Sequence, residues 1–334
     1  MLLPPPWRGT PPWTSVDPES PDIMSQRILV IKHGAFGDFV QAMGAFEAIR
    51  SHHADDRIAL LTCAPYNKIA ADVPWFDEVL EDNKPKFFDI EGIVHLRSWF
   101  LSQRFDRVYD LQNSDRTAFY FWMLWPYRPH GWSGVVAGCS YRHNTPHRKT
   151  MHTIERLNEQ LTLAGITHVY PPRVDWAVSP DVACPQGAFA MLVPGGSAHR
   201  PEKRWPVSHY IEVAKVLMQR NITPLLIGTQ IDADLNQAIK KAVPACIDMT
   251  GQTQFRDLAT LGRKATFAIG NDTGPLHLIS VAGAPTVALF SYASDPVRCA
   301  QRGPWVTIFR EKNLSDVSPR VVIEALEPFF NKGI

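Results

Sequence analysis

No stretch of this chain stays apolar for the roughly 18 residues that a bilayer crossing requires, so no membrane-spanning helix is expected. Cysteine is scarce and patternless. Cys63, Cys139, Cys184, Cys246 and Cys299 are odd in number, widely scattered and form no C-x-x-C pair. That excludes a disulfide framework or a cysteine-built zinc site and suits a reducing compartment. An excess of one charge is lacking as well: 34 Lys and Arg stand against 33 Asp and Glu, so nothing global points to nucleic acid. The proline-rich opening, MLLPPPWRGTPPWTSVDPESPDI, lacks the basic and long apolar blocks of a secretion signal. These absences predict a cytoplasmic protein whose residues 1–24 form a disordered extension, with Met24 a plausible natural start.

What is present is rhythm. From Arg27 onward, apolar runs such as RILVIK and RIALLT alternate with helical stretches such as VQAMGAFEAIRSHH. This is the βαβ pattern of a parallel, doubly wound sheet. Four prolines between Val169 and Gly187 interrupt it, and the alternation restarts at FAMLVPGGS. The reading is α/β, with two facing Rossmann-like domains and a cleft between them. The expected boundaries are 25–172 for the first domain, 173–187 for the linker and 188–334 for the second, with the closing helix returning to the first.

Two loops carry the chemistry of the second half. LVPGGSAHRPEKRWP brings Gly195, Gly196 and Ser197 to a strand's carboxyl end, where their N–H groups form an anion nest beside a run of cations. In AIGNDTGPLHL a strand ends at Asn271 and Asp272, and a helix follows. Thr273 and Gly274 offer free N–H groups to a diphosphate at the positive helix end, Asp272 can accept from sugar hydroxyls, and His277 lies one turn inside. In the first half, ILVIKHGAFGDFVQAM has the strand and glycine turn of a phosphate cradle, yet Asp38 would face any phosphate there. A G-x-G-x-x-G turn is missing, which weakens a nicotinamide-dependent oxidoreductase. A non-catalytic nucleotide-sugar-binding protein is the other alternative.

These motifs resemble those of glycosyltransferase family 9, the ADP-heptose:lipopolysaccharide heptosyltransferases of GT-B fold. The resemblance runs from Arg27 to about Pro304 and rests on ILVIKHGAFGDFVQA, PGGSAHRPEKRWP, LLIG, TGQTQFRDLA and above all GNDTGPLHL. It implies an inverting, metal-independent transferase with no cofactor, passing a heptose from a nucleotide diphosphate to lipopolysaccharide core or a related glycan. Matching residue by residue, it makes Asp38 the catalytic carboxylate and Lys203 a phosphate contact. Asp272, Thr273 and Gly274 would meet the donor's sugar and phosphates, Asp232 the ribose, and Thr253 would lie near the base. The acid then belongs to the acceptor half and the nest to the donor half. Gly37, Arg142, Arg148 and Lys149 become acceptor-side candidates, the cations reaching an anionic glycan. Of the histidines His143, His147 and His152, no metal site is expected, because Pro146 breaks the helix that would align them. The aromatic run Phe119 to Trp132 is read as apolar core in preference to a peripheral contact with the inner membrane.

Overall fold

A computed structural model describes residues 25–86, 88–196 and 200–330. The expected extension at 1–24 lies outside them. In the first half the elements run β1 (Arg27–Ile31), α1 (Phe36–Gln41), α2 (Met43–His52), β2 (Arg57–Thr62), α3 (Tyr66–Ala70) and β3 (Glu78–Glu81). They continue as α4 (Ile90–Gln103), β4 (Arg107–Asp110), α5 (Asp115–Met123), β5 (Gly131–Gly134), β6 (Tyr141–Arg142) and α6 (Thr153–Leu163). The second half opens with β7 (Phe189–Val193), α7 (Val207–Gln219), β8 (Thr223–Leu226), α8 (Ala233–Ala242), β9 (Ile247–Asp248) and α9 (Phe255–Lys264). It closes with β10 (Phe267–Asn271), α10 (Gly274–Ala282), β11 (Thr286–Ser291), α11 (Pro296–Cys299), β12 (Val306–Glu311) and α12 (Pro319–Phe330).

Each half is a six-stranded sheet, ordered β3-β2-β1-β4-β5-β6 and β9-β8-β7-β10-β11-β12. Every pairing is parallel. The two sheets therefore share one strand order and make a GT-B architecture. In both, the chain reverses direction beside the first strand, between β1 and β4 and between β7 and β10. Doubly wound sheets place ligands at such switch points. The loops carrying Asp38, Gly195 and Asp272 all leave strands there.

Strand alternation explains how the core is divided. Leu29 and Ile31 of β1 point into a cluster under α4 and α5. Ile28 and Val30 point the other way, into a cluster that also holds Phe189, Met191 and Val193 of β7 and Leu276 and Ile279 of α10. One core thus runs from the first half into the second. The linker is part of it: Val174 and Ala177 are fully buried, and Trp176 stacks on Phe255 at 5.4 Å. Trp75 meets Trp176 edge-on at 6.3 Å and Phe36 meets Phe255 at 6.0 Å, so an aromatic chain threads both halves. The closing helix departs from expectation. Val322, Leu326 and Phe329 of α12 join the second half's own core with Trp205 and Tyr210, because its apolar stripe matches the face that α7 leaves open.

Candidate functional site

Asn271, fully buried at the end of β10, holds the donor-side turn in place. Its Nδ2 donates to the carbonyls of Pro194 and Gly195 at 2.8 and 3.0 Å, while its Oδ1 accepts from the Trp205 N–H at 3.0 Å. Arg204 donates to the Gly196 carbonyl at 2.8 Å, leaving the N–H side of the turn for an anion. A Cβ at Gly196 would stand 4.0 Å from the Thr273 methyl, so the turn lies beside the start of α10. Thr273 is the cap residue there with its hydroxyl oxygen buried and unpartnered among the described residues. Gly274 is the first helical residue. Ser197 lies outside the described residues.

Lys203 and Asp272, expected to serve phosphate and sugar separately, are ion-paired at 2.8 Å. His277 Nε2 lies 3.8 Å from the other Asp272 oxygen. Burial alone would raise the Asp272 pKa. Hydrogen bonding and charge from His277 and Lys203 outweigh it, so the carboxyl is held well below the usual range. The ring of His277 also reaches the first half, where its Nδ1 lies 3.5 Å from Gln41 Nε2. Two glycines allow this approach. A Cβ at Gly37 would come within 2.7 Å of the His277 ring, and one at Gly274 within 2.6 Å of Phe36.

Asp232, which the motif matched to the ribose, has a duty within the fold. Its carboxylate is turned inward, accepting from the N–H and hydroxyl of Thr229, both at 3.0 Å. It packs under Gly195, whose missing Cβ would lie 2.5 Å from its Cγ. In this geometry it braces the turn. Thr253 is half-buried in the loop before α9.

On the other side of the cleft, Asp38 sits in the first turn of α1, which starts at Phe36, earlier than the sequence suggested. Ala35 occupies the cap position, so Asp38 is not the helix cap. It lines a cavity of about 240 Å³ with Lys32, Gln112, Asn113, Arg148 and Arg156. Lys32 is only 4% exposed, and its ammonium donates to the Leu111 carbonyl at 3.4 Å. The Nε atoms of Arg148 and Arg156 are buried without a hydrogen-bond partner among the described residues. Burial pulls the pKa of all three cations down, while Asp38 pulls those of Lys32 and Arg156 back up. Three cations thus face one lining carboxylate, with the buried Asp110 near Lys32 and Arg148 as a second acid, an arrangement still short of negative charge. A larger and more open hollow of about 340 Å³, lined by Arg50, Asp55 and Asp77, lies where β2 and β3 begin. That is the wrong end of a parallel sheet for a ligand site.

Of the acceptor-side cations expected from sequence, only Arg148 reaches the cavity. Arg142 is exposed on β6 and donates to the Val135 carbonyl, and Lys149 is exposed. Lys32 and Arg156 were missed. Lys32 reads as the trailing residue of a strand, and Arg156 as one charge of an amphipathic helix. The signal that could have found both is their shared exit toward Asp38, which only the strand order reveals. Two of the three histidines share one carboxylate and the third turns to a backbone carbonyl. His143 and His147 approach Glu159 at 3.5 and 3.2 Å, and His152 donates to the Ala300 carbonyl at 3.0 Å. The two sides of the site converge at Cys299, whose surroundings include Asp272, Lys203 and Asp38. Burial pushes its thiol up to about 11.

Residues 93–321 match the sequence model of glycosyltransferase family 9 (heptosyltransferase). The chain belongs to that family. The matched span holds the donor-side loops and Arg148 and Arg156 but begins after Asp38, whose role rests on geometry. Among curated relatives, lipooligosaccharide heptosyltransferase 2 of Haemophilus influenzae is 24% identical over 160 residues, 41% of this chain and 46% of that protein. The alignment therefore spans less than half of the relative's length. Among solved structures, a family 9 glycosyltransferase of Veillonella parvula superposes with a TM-score of 0.79 at 20% identity, covering 92% of this chain and 98% of that one. The ADP-heptose lps heptosyltransferase II of E. coli gives 0.75 at 20% identity, covering 92% and 99%. These likenesses show the fold.

Proposed function

We propose that this family 9 chain is an inverting, metal-independent glycosyltransferase. It moves a heptose from a nucleoside diphosphate, best ADP, to a lipopolysaccharide core or related surface glycan. The relatives' names supply the heptose, the ADP and the glycan. The work would be done in the cytoplasm or peripherally on the cytoplasmic face of the inner membrane.

The observation that carries the reading is the division of charge across the cleft. Asp38 stands among cations on one side; the Gly195–Gly196 turn, the start of α10 and Lys203 stand on the other. Asp38 accepts the proton of the acceptor hydroxyl as that oxygen attacks the anomeric carbon from the face opposite the diphosphate. The bond to the diphosphate oxygen breaks and the configuration inverts. Charge arriving on the diphosphate is met by backbone N–H groups, the helix end and the Lys203 ammonium, which covers the duty a metal ion has in other transferases. Lys203 must let go of Asp272 to do so, which frees that carboxylate for the sugar hydroxyls. Asp232 and Asn271 hold the turn. The cavity of Lys32, Arg148 and Arg156 takes an anionic substituent of the acceptor, placing its hydroxyl against Asp38.

The test is ADP release from ADP-heptose with a core-glycan acceptor, with and without EDTA, followed by the anomeric configuration of the product. Turnover that survives chelation and inverts is expected. Dependence on added magnesium, or retention of configuration, would overturn the corresponding part.

A further inference from the structure

The outer face of the first half carries apolar side chains that no other described residue covers. Phe88, Ile90, Val94, Trp122, Trp125 and Tyr127 are between 52% and 81% exposed. The expectation that the aromatic run is core holds only for part of it: Tyr120, Phe121, Leu124 and Trp132 are buried, while Trp122, Trp125 and Tyr127 between them face outward. The exposed residues form one ridge. Ile90, Val94 and Arg97 are spaced i, i+4, i+7 on α4, hence on one helical stripe. Arg97 then bridges to the end of α5, donating to the carbonyls of Met123 at 2.9 Å and Trp125 at 3.5 Å. Arg128 closes the ridge, its guanidinium 4.3 Å from the Phe121 ring centre and 5.5 Å from that of Trp122.

The charge around the ridge has one sign at this end. No Asp or Glu occurs from Arg116 to Ile154, and of the cations in that stretch Arg128 lies on the ridge while Arg148 lines the Asp38 cavity. Neither Arg97 nor Arg128 belongs to an ion pair among the described residues. The acids Asp89 and Glu91 stand at the far end, and Asp89 is occupied in capping α4 through the Gly92 N–H at 2.9 Å. Indole and phenol rings interleaved with guanidiniums suit the boundary between lipid headgroups and acyl chains, where rings sit at the interface and cations meet lipid phosphate. A second copy seated through the same ridge would set Arg97 and Arg128 against their own equivalents.

We infer that this Val94–Arg97–Trp122–Trp125–Arg128 ridge is a docking surface for an anionic bilayer. The inference gives a location to the peripheral membrane contact in the reading above, but it stands on exposure and charge and not on the transfer chemistry. The experiment is co-sedimentation of the full chain with vesicles of phosphatidylcholine alone and of phosphatidylcholine mixed with phosphatidylglycerol. Binding to the mixed vesicles, weakened by salt, is expected. Trp122→Ser with Trp125→Ser should lower partitioning by about tenfold or more. Arg97→Gln with Arg128→Gln should reduce it on the anionic vesicles only. ADP affinity and melting temperature, unchanged in both, show that the variants fold. In the wild-type chain, brominated lipid should quench tryptophan emission, which tests contact without any substitution. No binding to anionic vesicles, equal binding by wild type and variants, or lipid-free dimerisation abolished by the same substitutions would each overturn the inference. Because ADP binding is read separately, failure here is distinguishable from failure of the transferase reading.

Discussion

Asp38→Asn keeps the shape of the side chain while removing its capacity to take a proton. Turnover should fall by about 10²–10⁴-fold with ADP affinity unchanged, as steady-state rates and calorimetry would show. Near-normal turnover would remove Asp38 from the chemistry. Lys203→Ala should weaken ADP binding by roughly 1.5–3 kcal/mol, the worth of a charge-assisted phosphate contact. It also strands Asp272, a largely buried carboxylate held between Lys203 and His277, so the melting temperature should drop too. The sign with pH follows from the depressed Asp272 pKa. Its stabilisation is present above the unfolded value near 3.9 and is lost on acidification below that, so wild type and Asp272→Asn should converge in stability below about pH 4. Lys32 behaves in the opposite sense. Its folded pKa is lowered by burial, so the unfolded chain holds the proton more tightly and a charged Lys32 costs stability at neutral pH. Lys32→Met should therefore raise the melting temperature while weakening acceptor binding. A variant both less stable and fully active would refute the cavity's role.

At the scale of elements, the contact of α1 with α10 is the point where the halves touch through glycine. Gly37→Ala would gain helix propensity by itself. The new methyl meets the His277 ring, however, and the expected outcome is a lower melting temperature and at least about tenfold slower turnover. His277→Ala in the same chain removes the obstacle, so the double variant should melt above Gly37→Ala alone. The sequence made much of this legible. The strands with buried alternation, the Gly195–Gly196 turn and the Asp272–Thr273–Gly274 helix start were all readable, because period and turn chemistry are local. What stayed hidden depends on distant partners. That Asp232 is enclosed by Thr229 and Gly195 was not visible in the chain, and Lys32 with Arg156 came together only once β1 and α6 were placed beside the same cavity. The exposed ridge escaped for a related reason. Composition shows that the segment from Phe119 is aromatic, but not which rings α4 leaves uncovered.

In the whole molecule, two sheets of one strand order face each other, and their first turns have taken opposite assignments. In the proposed reading the turn after β7 would receive an anion, whereas the helix start after β1 carries a carboxylate of its own. The linker joining them is packed into the shared core, and exposed interdomain pairs such as Arg256–Asp72 at 3.0 Å add little to that. Heating should accordingly give one calorimetric transition for both halves, and two separated peaks would contradict the shared core. The aromatic chain through that linker has a further, optical consequence. Trp75 and Trp176 are close enough for their excited states to couple, and Trp176 is stacked on a ring of the opposite half. Any rotation of one sheet against the other must change that coupling. The protein therefore carries its own gauge of cleft closure, readable as near-ultraviolet ellipticity without a label: a signal that shifts when ADP-sugar binds and vanishes in Trp176→Phe would track the halves as they move.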